Sequence, residues 1–260
     1  MAKKKSKATK QAEAQRAAER AAAIRREQET RERRRRTLWI TLAGAAVLIL
    51  VVAIVAAVQA SRDTTGRAAT PPAGAVDTYA LPSGEPGAPV TVDVYEDFMC
   101  PFCGQFEASA SQTLKEYAAN GDAQIQYRMI SFLDRMSSGS DYSTRAMNAV
   151  GVVLDEAGPD AAIEMHDLLY QKQPEEGTEG LTDDELVDLA VQAGADEEAV
   201  RGPIEDLKFE QWVKNATDQS SKDGVTGTPT IRVDGKTIDY QTIPELLTKL
   251  DEAVQAGAAQ

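Results

Sequence analysis

Along residues 90–98, "VTVDVYEDF", apolar Val90, Val92 and Val94 alternate with Thr91 and Asp93 before aromatic residues follow. A period of two predicts a β-strand. "AQIQYRMISF", with Ile125, Tyr127 and Met129 on one face, predicts a second. Between them "GQFEASASQTLKEYAANGD" has helical spacing and a stop at Asn120 and Gly121. From residue 134 to 200 nothing reads as a strand. "DYSTRAMNAVGVVLDEAG" is helical and stops at Gly158, and Pro159 then opens a helix with Ala162, Ile163, Leu168 and Leu169 for its buried face. In "LTDDELVDLAVQAG", Thr182 and Glu185 form a capping box and Gly194 is the stop. A further helix is expected over residues 204–221. "TPTIRVDGKTI" is a hairpin turning at Asp234 and Gly235, and Thr242 with Glu245 starts a last helix that buries Leu246, Leu250 and Val254. The order β, α, β, helical block, α, β-hairpin, α implies an α/β fold, a central sheet with helices packed on it.

The N-terminal quarter has a different pattern. Residues 38–58, from Leu38 to Val58, read "LWITLAGAAVLILVVAIVAAV" without a charge. As a helix this run is roughly 31 Å long, which matches a bilayer core. Trp39 stands at its start, where an indole suits the headgroup region. Residues 1–36 carry 14 Lys and Arg against five Glu, a net of +9, which leaves −22 for the remainder of a chain whose total is −13. The positive-inside rule therefore puts residues 1–36 in the cytoplasm and the acidic body outside. Cleavage after the apolar run, near Val58, Gln59 and Ala60, is the rival to a retained single-pass anchor; the run exceeds the usual h-region of about 7–15 residues, which favours the anchor. Either way the body is extracytoplasmic. The basic arm has no nucleic-acid motif, and the acidic body argues against nucleic acid as a partner. Residues 60–76, short of large apolar side chains, read as a linker, followed by an irregular lead-in to the first strand.

The only two cysteines, Cys100 and Cys103, lie between the first strand and the first helix in "DFMCPFC". A structural disulfide closing so small a loop would constrain the unfolded chain little. A metal site lacks ligands, since the lone His166 sits mid-helix in the helical block and reads as a core-edge or surface residue. Cu(I) held by the two thiolates is the surviving metal alternative, with Met99 the one close soft neighbour. Redox exchange fits best. A cysteine at a helix start meets unpaired N–H groups and the positive end of the dipole, which stabilise its thiolate. Cys100 is then the nucleophile, Cys103 the resolving thiol, and Pro101 fits the first turn, where its missing N–H costs nothing. Asp97 and Glu96, just before the pair, are candidates to relay a proton from Cys103, and Asp97 also to cap the helix. No other thiol is present to scramble with the pair in an oxidising compartment.

With "DFMCPFC" after a strand, "GVTGTPTIRVDG" before the final hairpin, and a helical block between, residues 77–256 resemble the DsbA-like branch of the thioredoxin superfamily. The resemblance implies a thioredoxin-like fold over residues 77–133 and 201–260, with residues 134–200 as an inserted helical domain; it leaves residues 1–76 out, where the apolar run by itself gives one preceding transmembrane helix at 37–59. It implies a cis bond between Thr228 and Pro229 beside the cysteine pair, where the residues alone leave cis and trans open. Thr228 would then offer its backbone to a client strand. The best-known strongly oxidising members carry His before the second cysteine; here Phe102 stands there, and with Pro101 it would contact the client. The expected activity is introduction of disulfides into reduced exported proteins, with no cofactor beyond the Cys100–Cys103 pair. A quinone-linked membrane oxidoreductase would reoxidise it. A reductase or isomerase for particular clients is the alternative.

Overall fold

The computed structural model describes residues 67–258. The basic arm, the apolar run at 38–58 and residues 60–66 of the expected linker lie outside the described residues. Among the described residues no helix is long and apolar enough to cross a membrane.

Five strands form one mixed sheet in the order β1-β3-β2-β4-β5: β1 (Leu81–Ser83), β2 (Val90–Glu96), β3 (Ala123–Met129), β4 (Thr230–Val233) and β5 (Lys236–Thr237). β2 runs parallel to β3, with Val92 beside Ile125 and Val94 beside Tyr127, and antiparallel to β4, with Val94 beside Ile231. Helix α1 (Pro101–Asn120) makes the crossover between the parallel pair. Between β3 and β4 come a 3-10 turn (Asp134–Met136) and α2 (Tyr142–Ala157), α3 (Pro159–Gln171), α4 (Asp183–Gln192), α5 (Glu197–Glu205) and α6 (Glu210–Lys222). α7 (Ile243–Ala258) follows the hairpin. The sheet, the single block of helices between β3 and β4, and the α1 crossover are the thioredoxin-like α/β arrangement.

The core follows the alternation. Val90, Val92, Val94 and Glu96 share one face of β2 and are all buried. Tyr127 of β3 and His166 of α3 meet on this face, their rings 4.4 Å apart. α1 adds Cys103, Phe106, Ala110 and Leu114, and α7 adds Leu246, Leu250 and Val254. Each fully buried Leu, Val or Phe contributes about 1.5–3 kcal/mol of transfer free energy. On the other face of the strands, Arg128 pairs with Asp93 at 2.5 Å and Arg232 lies over the Tyr95 ring at 5.0 Å. The Asp234–Gly235 hairpin, the capping box at Thr182 and the left-handed helix stop at Gly121 form as their sequences indicate.

Three expectations change. β1 was expected as irregular lead-in; three residues cannot show a period, and only pairing with β3, Leu81 beside Tyr127 and Ser83 beside Ile125, makes them a strand. The helix expected over 204–221 is two, α5 and α6, broken where Leu207 takes a left-handed φ of 52°. The apolar period runs through that break because Ile204, Phe209, Trp212 and Val213 face the same core. Finally, residues 67–76 of the expected linker are held against the helices. Asn215 Nδ2 donates to the Arg67 carbonyl at 2.7 Å and Ala73 N donates to Asp155 Oδ1 at 2.7 Å.

Candidate active site

β2 ends at Glu96, and a short turn, closed by a 2.9 Å bond from Cys100 N to Asp97 O, leads into α1. Cys100 is the N-cap residue of α1 and Pro101 its first residue. Phe102 protrudes at 61% exposure beside exposed Pro101, whereas Cys103, one turn into the helix, is fully buried. Both cysteines are free thiols. Across from them the Thr228–Pro229 peptide bond is cis, Pro229 is buried, and the Thr228 carbonyl oxygen is 3.4 Å from Cys100 Sγ. The structure therefore brings Cys100, Cys103, Pro101, Phe102, Thr228 and Pro229 to one end of the sheet, at a cleft lined by Phe132, Leu133, Val225, Gly227 and Thr228.

The two sulfurs differ in environment. The Cys103 thiol donates toward Cys100, and this bond outweighs the opposing effect of burial. With the Thr228 side chain and the backbone N–H groups of Cys103 and Phe102, it lowers the Cys100 thiol to about 6. Burial, the bond to Cys100 and the charges of Cys100 and Glu96 push Cys103 well above the ordinary thiol range. The arrangement is one stabilised thiolate facing outward and one protonated thiol behind it.

Asp97 does not cap α1. Its Oδ1 accepts from Met99 N at 2.9 Å and Ser143 Oγ at 2.6 Å, and its Oδ2 accepts from Leu133 N at 2.9 Å. These bonds tie the active-site turn to the loop after β3 and to α2. Burial raises its carboxyl to about 6 against those hydrogen bonds. Both oxygens are engaged by these bonds.

Three further contributors escaped the sequence. Gln173, just past α3, donates from Nε2 to the carbonyls of Phe98 at 3.0 Å and Cys100 at 2.8 Å. Gly104 makes room for it, since a Cβ there would lie 2.1 Å from Gln173 Oε1. Tyr240 Oη donates to the Pro229 carbonyl at 2.7 Å. No local pattern marks Gln173 or Tyr240, because each acts across the fold.

His166 is not at the core edge or surface as the sequence suggested. It is fully buried, with Nε2 2.5 Å from Glu96 Oε1 and Nδ1 3.6 Å from Asp167 Oδ1. The rings of Phe98, Tyr127 and Tyr170 surround it with centroids 4.4–5.6 Å away. Burial works against its charge, but the Glu96 carboxylate, the bond to it and the nearby Asp167 carboxylate prevail and raise it to about 10. Glu107, one turn beyond Cys103 on α1, completes the cluster: Glu96, Glu107 and His166 each bring one ligand atom within 4.8 Å of the others. His166 Nε2 is taken by Glu96, while Nδ1 is buried without a hydrogen-bond partner. One signal for Glu107 was available, since it occupies the inward stripe with Cys103, Phe106 and Ala110.

The thioredoxin family, under that description, matches residues 78–252. The serine/threonine-protein kinase PknE of Mycobacterium tuberculosis is 30% identical over 173 residues, 64% of this chain and 30% of the kinase. The chain thus spans under a third of these relatives, and the kinase name carries nothing across. Disulfide bond formation protein D of Bacillus subtilis is 29% identical over 64% of this chain and 74% of its own length. The oxidised DsbA structure from Mycobacterium tuberculosis superposes with a TM-score of 0.56 and 29% identity, covering 69% of this chain and 98% of that one.

Proposed function

The chain belongs to the thioredoxin family, in its DsbA-like branch, and on that premise we propose that it is a thiol–disulfide oxidoreductase that oxidises reduced cysteines of exported proteins. The single observation that carries the reading is the pair itself: Cys100 at the start of α1, lowered to about 6, against a buried, raised Cys103. A client thiolate attacks Cys100 Sγ of the oxidised pair, and Cys103 leaves. A second client thiolate then attacks the client's own sulfur in the mixed disulfide and releases Cys100 as its thiolate. Because Cys100 is stabilised in the reduced state, the pair is biased toward accepting electrons, which favours the oxidase direction over a reductase or isomerase.

Phe102 and Pro101, exposed beside Cys100, offer the client apolar contact, and the backbone at Thr228 faces the same cleft. The roles of Thr228 and Pro229 as the client-facing wall, and the reoxidation of the pair by a quinone-linked membrane oxidoreductase, belong to this proposal. So does the anchor at residues 38–58, which places the domain beyond the cytoplasmic membrane.

The test is the full-length oxidised protein mixed with a reduced two-cysteine peptide. One peptide disulfide forms per Cys100–Cys103 pair, and Cys100→Ser forms none. A reduction potential near the DsbA poise of about −120 mV agrees with the oxidase, and one near the thioredoxin poise of about −270 mV makes the chain a reductase.

A further inference from the structure

Among the described residues, five side-chain nitrogen and oxygen atoms are buried without a hydrogen-bond partner, and four of them belong to one cluster: Glu96 Oε2, Glu107 Oε1, His166 Nδ1 and Tyr170 Oη. Glu96 comes from β2, Glu107 from α1 and His166 from α3, and each brings one ligand atom within 4.8 Å of the others. The Tyr170 ring packs edge-on against His166, with centroids 5.1 Å apart. Buried polar atoms are ordinarily satisfied, so four orphans in one place are a cost that a bound ligand removes. Charge points the same way. Two buried carboxylates need two positive charges beside them: protons on His166 and on one glutamate, or one divalent cation next to a neutral imidazole. Lys115 does not supply the second charge, because it pairs with Asp167. The two ring nitrogens are already distinguished. Nε2 lies 2.5 Å from Glu96 Oε1, whereas Nδ1 has Asp167 Oδ1 behind it at 3.6 Å. A carboxylate behind one nitrogen fixes the tautomer of a metal-binding histidine, with its proton on that side and its lone pair on the other.

We propose that Glu96, Glu107 and His166 form a binding site for one divalent cation of the Zn²⁺ class, with His166 Nε2 and one oxygen of each glutamate as ligands and Asp167 as the outer partner of His166 Nδ1. One imidazole with two carboxylates suits Zn²⁺ better than Ca²⁺ or Mg²⁺, which take oxygen ligands, and better than Cu(I), which selects sulfur. Three protein ligands leave the fourth tetrahedral position to water. A cavity of about 250 Å³ lined by Gly104, Glu107, Lys115, Asp167 and Tyr170 opens beside the cluster and gives ion and water their route in. Metal–ligand bonds of about 2.0–2.2 Å set tetrahedral ligand atoms roughly 3.4 Å apart. The ion therefore parts Glu96 from His166 by about 1 Å and draws Glu107 inward, adjustments within reach of carboxyl rotation. It displaces the protons the cluster otherwise holds, and the cluster stays neutral. Its ligands come from the central strand, the helix that carries the cysteines and the inserted helices, so the ion clamps three separate segments together. Neither cysteine is needed, and the site stands independently of the exchange reading above.

The test is Zn²⁺ uptake by the untagged full-length protein in its oxidised form, where the disulfide withholds both thiols from the metal. After dialysis against Zn²⁺ and then against metal-free buffer, the wild type should retain one Zn²⁺ per chain by elemental analysis. Chelator competition then ranks the variants. Asp167→Asn, which loses the outer partner of His166, should bind about 10–100-fold more weakly. Glu107→Gln, which loses a ligand, should be weakened at least as much. No retained Zn²⁺ in the wild type, or equal retention by the wild type and folded Glu107→Gln, overturns the site. An independent reading needs no variant, because His166 is the only histidine in the chain. In nitrogen-15 spectra of its ring, Zn²⁺ should convert Nε2 to a metal-bound nitrogen and leave the proton on Nδ1. A ring spectrum unchanged by saturating Zn²⁺ sinks the proposal.

Discussion

Gln173 reaches from the end of α3 to the turn before α1, its Nε2 2.8 Å from the Cys100 carbonyl oxygen and 3.0 Å from that of Phe98. A side chain of the helical block thus fixes the backbone from which the nucleophile projects. Two neutral hydrogen bonds of this kind contribute about 1–3 kcal/mol together. Gln173→Ala should lower the unfolding free energy by that amount. Gly104→Ala should do the same by driving the amide away, because the new Cβ would overlap it. Urea titration of both single variants and of the double variant checks this: the double should cost little more than either single, since both break the same contacts.

The asymmetry of the two thiols gives a pH profile. Alkylation of the reduced protein by iodoacetamide should follow a single midpoint near pH 6, and mass mapping should place the adduct on Cys100. Cys103 should stay unmodified through pH 9 unless the chain unfolds. For stability the signs are opposite. The depressed Cys100 favours the folded reduced state above the ordinary thiol pKa, and this advantage is lost as pH falls toward 6. The raised Cys103 withdraws its contribution as pH rises above the ordinary thiol range. Two midpoints of equal height in the alkylation profile would contradict the arrangement.

Asp97 is expected to act through structure. Asp97→Asn turns an amide N–H₂ toward at least one of the donors Met99 N, Leu133 N and Ser143 Oγ, at a cost of about 1–3 kcal/mol. Because burial raises the wild-type carboxyl to about 6, its contribution is fully present below the unfolded carboxylate pKa and declines as pH rises through 6. The Cys100 alkylation midpoint should stay where it is in the wild type. Chemical denaturation at pH 4 and pH 7 together with that midpoint tests both halves.

His166 ties the inserted helices to the central strand through Glu96. His166→Ala leaves Glu96 buried without its cationic partner, and breaking such a pair costs about 3–5 kcal/mol. Its pKa is raised, to about 10, so its stabilisation is complete below about 6.5 and disappears as pH rises through 10. The gap between wild type and variant in a denaturant series should therefore be wide at pH 6 and narrow by pH 10. A gap independent of pH would show that the loss is one of packing alone.

The sequence by itself determined the elements whose cause is local. A two-residue period makes β2 and β3, a Thr and Glu three apart cap α4, and Asp234–Gly235 turns the hairpin, because backbone sterics and near-neighbour bonds act within a few residues. It also marked Cys100 and Cys103 as a strand-to-helix pair, and the charge split and apolar run around residues 38–58. Tertiary structure decided what depends on partners far along the chain. β1 exists only through its pairing with β3, and the break between α5 and α6 is invisible to a period that faces one core throughout. Asp97 is committed to Leu133 and Ser143, 36 and 46 residues away, and His166 to Glu96, 70 residues away. Gln173 and Tyr240 hold the two backbone segments that face each other across the cleft. Burial is the physical reason for the division: a carboxylate, an imidazole or a thiol changes character when the fold removes water from it, and which residues lose their water is settled only when distant segments pack.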